Sequence, residues 1–491
     1  MSRKYTFKLA PKLAFNIYLP SSVKYGGEGL LTMLLYLQPR FWKFFLVFLI
    51  PVFFVTGTQD FGASHLLFLY AFVVLILFTQ IMLKLLGKGD FLPTVSYDLL
   101  LLTYTSVIAI SLLLAVVNSQ NTFALWGGGL YRIISGLSII AYWFLYYLTN
   151  IFGRQEGMLR RSIELIAISA MIAFVVSLAN ALLEYPFPLG VGIFHGYVLL
   201  MPVWLLLSLS SVRLNKLFFV NFVISIVLLG LYPAIEFVIG LLVAFSVLLL
   251  IELLSNKGKI KQLTTKFSKD FDLYSDNQIK LFSIPRRNKS LVKIVSSVVF
   301  IALSLLWLLS NRTLFVFPLL EAGLPELQKL VSVQHIIFGN GLFSEAGGTT
   351  VTELVRSYGL LSFVVFFSLL LVILRDQFKV LKTSKNDYEK ALSKSVLTFV
   401  PASIVVFALS WTTELHLIIF WIWIGIAGVL KSRVLDNEFL KFEHKYINLS
   451  SIKNKNTRRI VEIARFVAIL LIIVAVGYFF NLLNSIQVFI N

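Results

Sequence analysis

Cysteine is absent from all 491 residues. Disulfides, thiolate nucleophiles and cysteine-held metals are excluded with it. Charge is scarce too: Asp, Glu, Lys and Arg make up 14% of the chain, against about 25% in an ordinary soluble protein. That shortfall excludes a water-soluble globular fold, and the apolar content excludes a disordered chain. The strict apolar–polar alternation of a transmembrane β-barrel is missing. So are internal repeats, low-complexity tracts, a nucleotide-binding glycine loop, and any HExxH or clustered-carboxylate metal motif. No signal-peptide cleavage pattern precedes the first apolar run, so that run is expected to be retained.

Hydrophobic residues account for 58% of the chain and aromatics for 15%. They fall in runs of about 18–22 residues, the length that crosses a bilayer as a helix. The expected fold is an all-α polytopic transmembrane helix bundle of about thirteen spans. These are placed at 42–58, 64–84, 98–118, 131–151, 162–182, 191–211, 216–232, 234–254, 292–310, 357–374, 395–411, 414–431 and 461–484. Only Tyr232 and Pro233 separate the seventh span from the eighth. The run Leu30–Leu37 is too short to span and reads as interfacial.

The formal charge of +19 raises the question of which side it occupies. With the N-terminus inside, 39 of the 43 basic residues fall on the inner side and only Arg132, Lys329, Arg312 and Arg356 fall outside. The reverse orientation would invert that ratio, so the N-terminus is expected in the cytoplasm and Asn491 outside. Topology and attraction to the anionic inner leaflet account for the charge, and no nucleic-acid partner is expected. The chain then divides into a basic N-terminus with its interfacial segment (1–41), spans one to eight (42–254), a basic cytoplasmic loop (255–291), spans nine to twelve with an external loop at 312–355 (292–431), and a basic segment with the final span (432–491). Residues 255–291, 376–393 and 432–460 read as solvated cytoplasmic connectors. Cysteine labelling checks this map directly, since no native thiol interferes. In intact cells an impermeant thiol reagent is expected to label Ala346→Cys and not Asp270→Cys; the opposite pattern overturns the orientation.

Most external loops are short, and the long one between spans nine and ten concentrates the polar chemistry. Leu324, Leu327, Leu330 and Val331 have helical spacing, with Glu326, Gln328 and Lys329 on the other side. Gly339, Gly341, Gly347 and Gly348 follow, and glycine lets backbone N–H groups approach a ligand closely. Arg312, Arg356 and Arg132 all stand at outer membrane boundaries. Arginine presents a rigid fork of donors that matches phosphate oxygens, so a cluster there suits a lipid-linked diphosphate. The bland readings are snorkelling to headgroups and, for Arg356, simple pairing with Glu353 at i−3. Glu345, Glu353 and Glu414 flank the same region, and His65, His195, His335 and His416 lie at or beyond the outer boundary. A lone histidine in such a place is more often an interfacial hydrogen-bonder than a base. Glu236, near the outer end of span eight, is expected to face a cavity or a partner.

At this loop the chain resembles the O-antigen ligase and repeat-unit polymerase family of multi-span membrane glycosyltransferases. The resemblance rests on Arg312, on Phe338-Gly339-Asn340-Gly341-Leu342, on Thr352-Glu353-Leu354, and on Tyr358-Gly359-Leu360-Leu361-Ser362; further upstream, Gly192-Ile193-Phe194-His195-Gly196-Tyr197 is similar to a stretch that opens a family span. It covers roughly residues 130–430. Two positions depart from the family pattern. Gly348 stands eleven residues before Gly359, where the ligases have histidine, and Tyr232-Pro233-Ala234 replaces a Ser-Arg-Gly. Both departures fit the divergent polymerases better than the ligases.

The resemblance implies a plasma-membrane enzyme that polymerises or transfers glycan from a polyprenyl diphosphate on the outer face. The donor would be the lipid-linked glycan and the acceptor a second glycan or lipid. No cofactor, metal or nucleotide sugar is implied. Arg312, Arg356 and Arg132 would bind the diphosphate; Glu353, Glu345 or His335 would orient or deprotonate the attacking hydroxyl; Gly339, Gly341 and Gly359 would shape the loop. The rival readings are a lipid-linked oligosaccharide flippase or other transporter, and a non-catalytic relative.

Overall fold

A computed structural model describes residues 4–6, 16–18, 38–39, 41–49, 61–85, 95–119, 136–155, 157–182, 197–210, 215–231, 234–255, 289–310, 337, 349–410 and 413–436. Its labelled helices are α1 (Phe61–Leu85), α2 (Asp98–Ser119), α3 (Gly136–Arg154), α4 (Met158–Leu182), α5 (Met201–Ser208), α6 (Asn215–Leu231), α7 (Ile235–Ser255), α8 (Lys289–Ser310), α9 (Thr350–Thr383), α10 (Asp387–Leu409) and α11 (Glu414–Val434). Residues 41–48 are also helical. Among the described residues the one exception to an all-helical description is a short antiparallel ladder, β1 (Lys4–Thr6) with β2 (Asn16–Tyr18), in register Tyr5 to Ile17.

Four of these helices, α7, α9, α10 and α11, are long and apolar enough to cross a membrane. Helices suit such a setting because each satisfies its own backbone polar groups. Serine and threonine hydroxyls follow the same logic. Ser111 donates to the Val107 carbonyl, Thr149 to Leu145 and Ser395 to Ala391, each one turn back. Where helices are left uncovered, the exposed side chains are apolar: Phe219, Val220, Val223, Ile226 and Val227 on α6, and Val295, Val299, Leu303 and Leu306 on α8. Apolar faces of that extent belong in lipid rather than water.

The chain forms two compact units. In the first (1–45, 71–93 and 442–491), Trp42, Phe45 and Phe72 stack, with the two phenyl centroids 4.2 Å apart. Gln38 donates to the Thr79 hydroxyl at 3.1 Å and accepts from Gln80 at 3.1 Å.

The second unit (46–70 and 94–441) is built around α10 and α11. Helix α10 packs on α7, α9, α5 and α11, while α11 packs on α3 and α9. From Leu415 to Leu430 α11 is buried on every side. Gly425 and Gly428 bring it hard against α3: a Cβ at Gly425 would meet the Thr149 side chain at 2.6 Å and the Tyr146 carbonyl at 3.0 Å. Small residues at such crossings let two backbones approach.

Ion pairs gather at the helix ends that the sequence assigns to the cytoplasm. Buried Asp376 on α9 meets Arg375 at 3.1 Å and Lys431 of α11 at 3.5 Å. Arg433 donates to the carbonyls of Gly153 and Gln155 at 2.8 and 2.7 Å. Gln377 donates to the Ala427 carbonyl at 2.9 Å.

Several boundaries differ from expectation. Residues 376–393 are not a solvated connector: α9 continues to Thr383 and α10 begins at Asp387, leaving only 384–386 between them. Inward-turned positions four and three residues apart suit a helix here, with Ile373, Gln377 and Val380 buried while Lys382 is exposed. The external loop does not reach residue 355, because helix begins at Thr350. In the sixth span the described helix comprises residues 197–198 and Met201–Ser208, with turns at 199–200 and 209. The pair divided at Tyr232-Pro233 is two helices, α6 ending at Leu231 and α7 starting at Ile235. The thirteenth span, the interfacial run 30–37 and the amphipathic stretch 324–331 lie outside the described residues.

Candidate functional site

The head of α9 brings buried charge, a cap and a backbone break close together. Thr349 caps it in extended conformation: its hydroxyl accepts from the Thr352 amide, and the Thr352 hydroxyl accepts from the Thr349 amide at 2.7 Å. This reciprocal box satisfies two of the free N–H groups at a helix start. A third finds its partner on α10, where the Ser410 carbonyl accepts from both the amide and the hydroxyl of Thr350, each at 3.2 Å. The start of α9 and the end of α10 are thereby pinned together.

One turn into the helix stand Glu353 and Arg356. They are 1% and 7% exposed. Spacing of i and i+3 places them on one side of the helix, and neither is left without a partner. A buried charge is retained only when its surroundings compensate it. Arg356 is therefore not an arginine snorkelling at the lipid boundary; it is packed inside the bundle.

Three residues later the helix breaks. Gly359 has φ 79° and ψ 170°, a region occupied essentially by glycine alone. The break separates a nine-residue head, Thr350–Tyr358, from the long remainder of α9. Carbonyls at the break are met by side chains: Ser111 of α2 donates to the Tyr358 carbonyl at 3.1 Å, and Ser362 donates to the Gly359 carbonyl at 2.8 Å. The residue that the sequence marked as a motif glycine is thus required by backbone conformation.

Around this head lies a cluster of buried phenols. Tyr358 is fully enclosed, with Tyr104, Tyr70 and Glu353 in electrostatic range of its hydroxyl. Tyr70 and Ser138 share a hydrogen bond of 2.6 Å. Tyr142 stacks on Trp421 with ring planes 8° apart, and Glu414 lies in electrostatic range of Tyr142. Beside them runs a narrow apolar cleft of about 60 Å³, lined by Thr350, Val351 and Leu354 from the head and by Tyr104, Phe366 and Trp421 opposite.

His416 is buried rather than interfacial. Thr413 caps α11 and accepts from the His416 amide. The ring lies against Phe407 (4.8 Å), Phe237 (6.0 Å) and Phe399 (6.2 Å), with Nε2 3.1 Å from the Ser403 hydroxyl. Among the described residues Nδ1 has no hydrogen-bond partner. Phe407 also lines the cleft, so a single ring separates His416 from it.

Of the residues singled out in the sequence, Glu353 and Arg356 share one helix head and Gly359 forms the break that ends it. Glu236 is half-buried in the first turn of α7. Arg312, Arg132, Glu345, His335, Gly339 and Gly341 lie outside the described residues. The phenols of Tyr70, Tyr104, Tyr142 and Tyr358 are not signalled by any motif except Tyr358, which adjoins Gly359. Among the described residues no three His, Asp or Glu side chains are grouped as metal ligands. No protein-family model, no curated protein and no solved structure matches the chain.

Proposed function

We propose that this chain is a membrane glycosyltransferase that polymerises or transfers glycan from a polyprenyl diphosphate on the outer face of the plasma membrane. The observation that carries the reading is the broken head of α9, where Glu353 and Arg356 are buried together beside an aromatic-lined apolar cleft. A guanidinium held in a water-poor interior is worth more to a departing diphosphate than one in solution, and it needs no reorganisation as charge develops. Arg356 would neutralise the leaving group. A sugar hydroxyl would attack the anomeric carbon, and Glu353 would orient that hydroxyl or accept its proton. The cleft would take the first isoprene units, with α2 and α9 parting to widen it. Arg312, Arg132, Glu345 and His335 remain candidates for the rest of the site.

A lipid-linked oligosaccharide flippase is the second reading, and one observation favours it: transporters commonly bind substrate at broken helices, and α9 is broken at Gly359. Reconstituted protein with purified polyprenyl-diphosphate glycan, without nucleotide sugar or ATP, separates the two. The enzyme is expected to lengthen the lipid-linked glycan. Unchanged chain length with movement of the lipid across the vesicle wall would falsify the enzyme reading and install the transporter.

A further inference from the structure

A second built site lies at the other end of the bundle, away from the head of α9. Five helix ends converge there: the ends of α5, α7 and α9 and the starts of α8 and α10. They enclose a cavity of about 880 Å³, within the size range of pockets that hold a whole ligand. Its charged lining is Lys293, Lys382, Lys390, Lys394 and Asp387. Behind it sits Glu252, 3% exposed, which holds Lys394 at 2.5 Å and Lys293 at 3.5 Å and accepts from the Ser290 hydroxyl at 3.1 Å.

Glu252 fixes two of the four ammonium groups in place, while Lys382 and Lys390 stand on the lining outside those pairs, and among the described residues Asp387 is the only other lining charge. Four lysines against two carboxylates leave a surplus of positive charge. The positive ends of α8 and α10 are outnumbered by the negative ends of α5, α7 and α9, so the lysines and not the helix dipoles set the sign of the site. The site therefore selects an anion. Its remaining walls are apolar, and two of them, Leu254 and Phe378, are 51% and 42% exposed at its rim. A small soluble anion would have no use for those walls, whereas acyl chains would cover them. Basic pockets between helices at the cytoplasmic end are suited to acidic lipid headgroups.

We propose that this cavity binds an anionic phospholipid of the cytoplasmic leaflet, its phosphate on Lys382 and Lys390 and its acyl chains along Leu254 and Phe378. The occupant is a glycerophospholipid with a net negative headgroup, and its binding would fasten five helix ends together. The assignment does not depend on the glycosyltransferase reading.

The test uses the purified full chain in neutral detergent and native mass spectrometry with phosphatidylglycerol, phosphatidylcholine of the same acyl chains, or inorganic phosphate. Phosphatidylglycerol is expected to bind saturably and in preference to phosphatidylcholine. The double variant Lys382→Gln/Lys390→Gln should bind it on the order of thirtyfold more weakly, the loss expected for two lysine contacts near a membrane surface. Both lysines lie outside the Glu252 ion pairs, and elution as wild type checks that the variant folds. Lys385→Gln, an exposed lysine outside the cavity, should leave binding unchanged. Equal binding of the two lipids, an unaffected double variant, or an equal loss in Lys385→Gln would each overturn the proposal. Displacement of phosphatidylglycerol by millimolar inorganic phosphate would also overturn it, and would assign the cavity to a soluble phosphate compound.

Discussion

Arg356→Lys is expected to insert, express and elute as the wild type does, yet to extend glycan about 10²- to 10³-fold more slowly, the loss typical of one preorganised donor. Lysine keeps the positive charge at this point of the helix head. What lysine cannot supply is the planar pair of parallel N–H donors. A residue that served only to neutralise Glu353 would tolerate the change, and near-normal chain lengths from Arg356→Lys would reduce Arg356 to that role. Glu353→Gln sharpens the result. It should slow extension as severely as Arg356→Lys if the carboxylate accepts the acceptor proton, and far less if it only positions Arg356. Chain length on extracted polyprenyl lipid is the measurement for both.

Gly359→Ala is expected to be nearly as damaging for a different reason. At φ 79° and ψ 170° a Cβ introduces strain of about 1–3 kcal/mol. The chain can relieve that strain only by straightening α9 or by releasing the head from Ser111 and Ser410. Either movement displaces Glu353 and Arg356, and angstrom-scale misplacement of a positioned group is enough to lose about 10²-fold in rate. Lower thermal stability with glycan extension reduced at least about tenfold is therefore the expected pair of results. Gly157 provides the control. It too has positive φ, 72°, with nothing within 4 Å of where a Cβ would stand, and it lies in the turn before α4. Gly157→Ala should lower stability while leaving extension intact. Full activity in Gly359→Ala would show that the break has no part in the reaction.

Hydropathy made the helices legible because the apolar runs are long and their breaks are sharp. Two residues, Tyr232 and Pro233, sufficed to divide α6 from α7. The same signal failed at 376–393, where a polar, basic stretch reads alike whether it is a loop or a helix that has left the membrane. The difference lies in Gln377 and Ser393, which turn inward; Ser393 donates to the Gln377 carbonyl at 2.7 Å, a contact between two helices that no single stretch discloses. Within the site, the spacing of Glu353 and Arg356 was visible, but their burial was not, since burial depends on α2, α10 and α11 closing around them. His416 shows the same gap. Its position at a helix start suggested a boundary residue, whereas Phe237, Phe399 and Phe407 arrive from two other helices to enclose it.

Helix α9 also serves as a depth gauge. Past the break at Gly359 the first charge is Arg375, whose side chain is 63% exposed, and it marks where the helix emerges from hydrocarbon. About 20 residues of helix, rising about 1.5 Å each, cross a hydrocarbon layer of about 30 Å. Measured outward from Arg375, the unbroken helix ends at Gly359 after about 24 Å at about 1.5 Å per residue, short of that thickness. The head that carries the buried pair must cover the remaining distance on a new axis, and, on the proposed reading, that places Arg356 where a lipid-borne diphosphate arrives sideways, within the plane of the membrane.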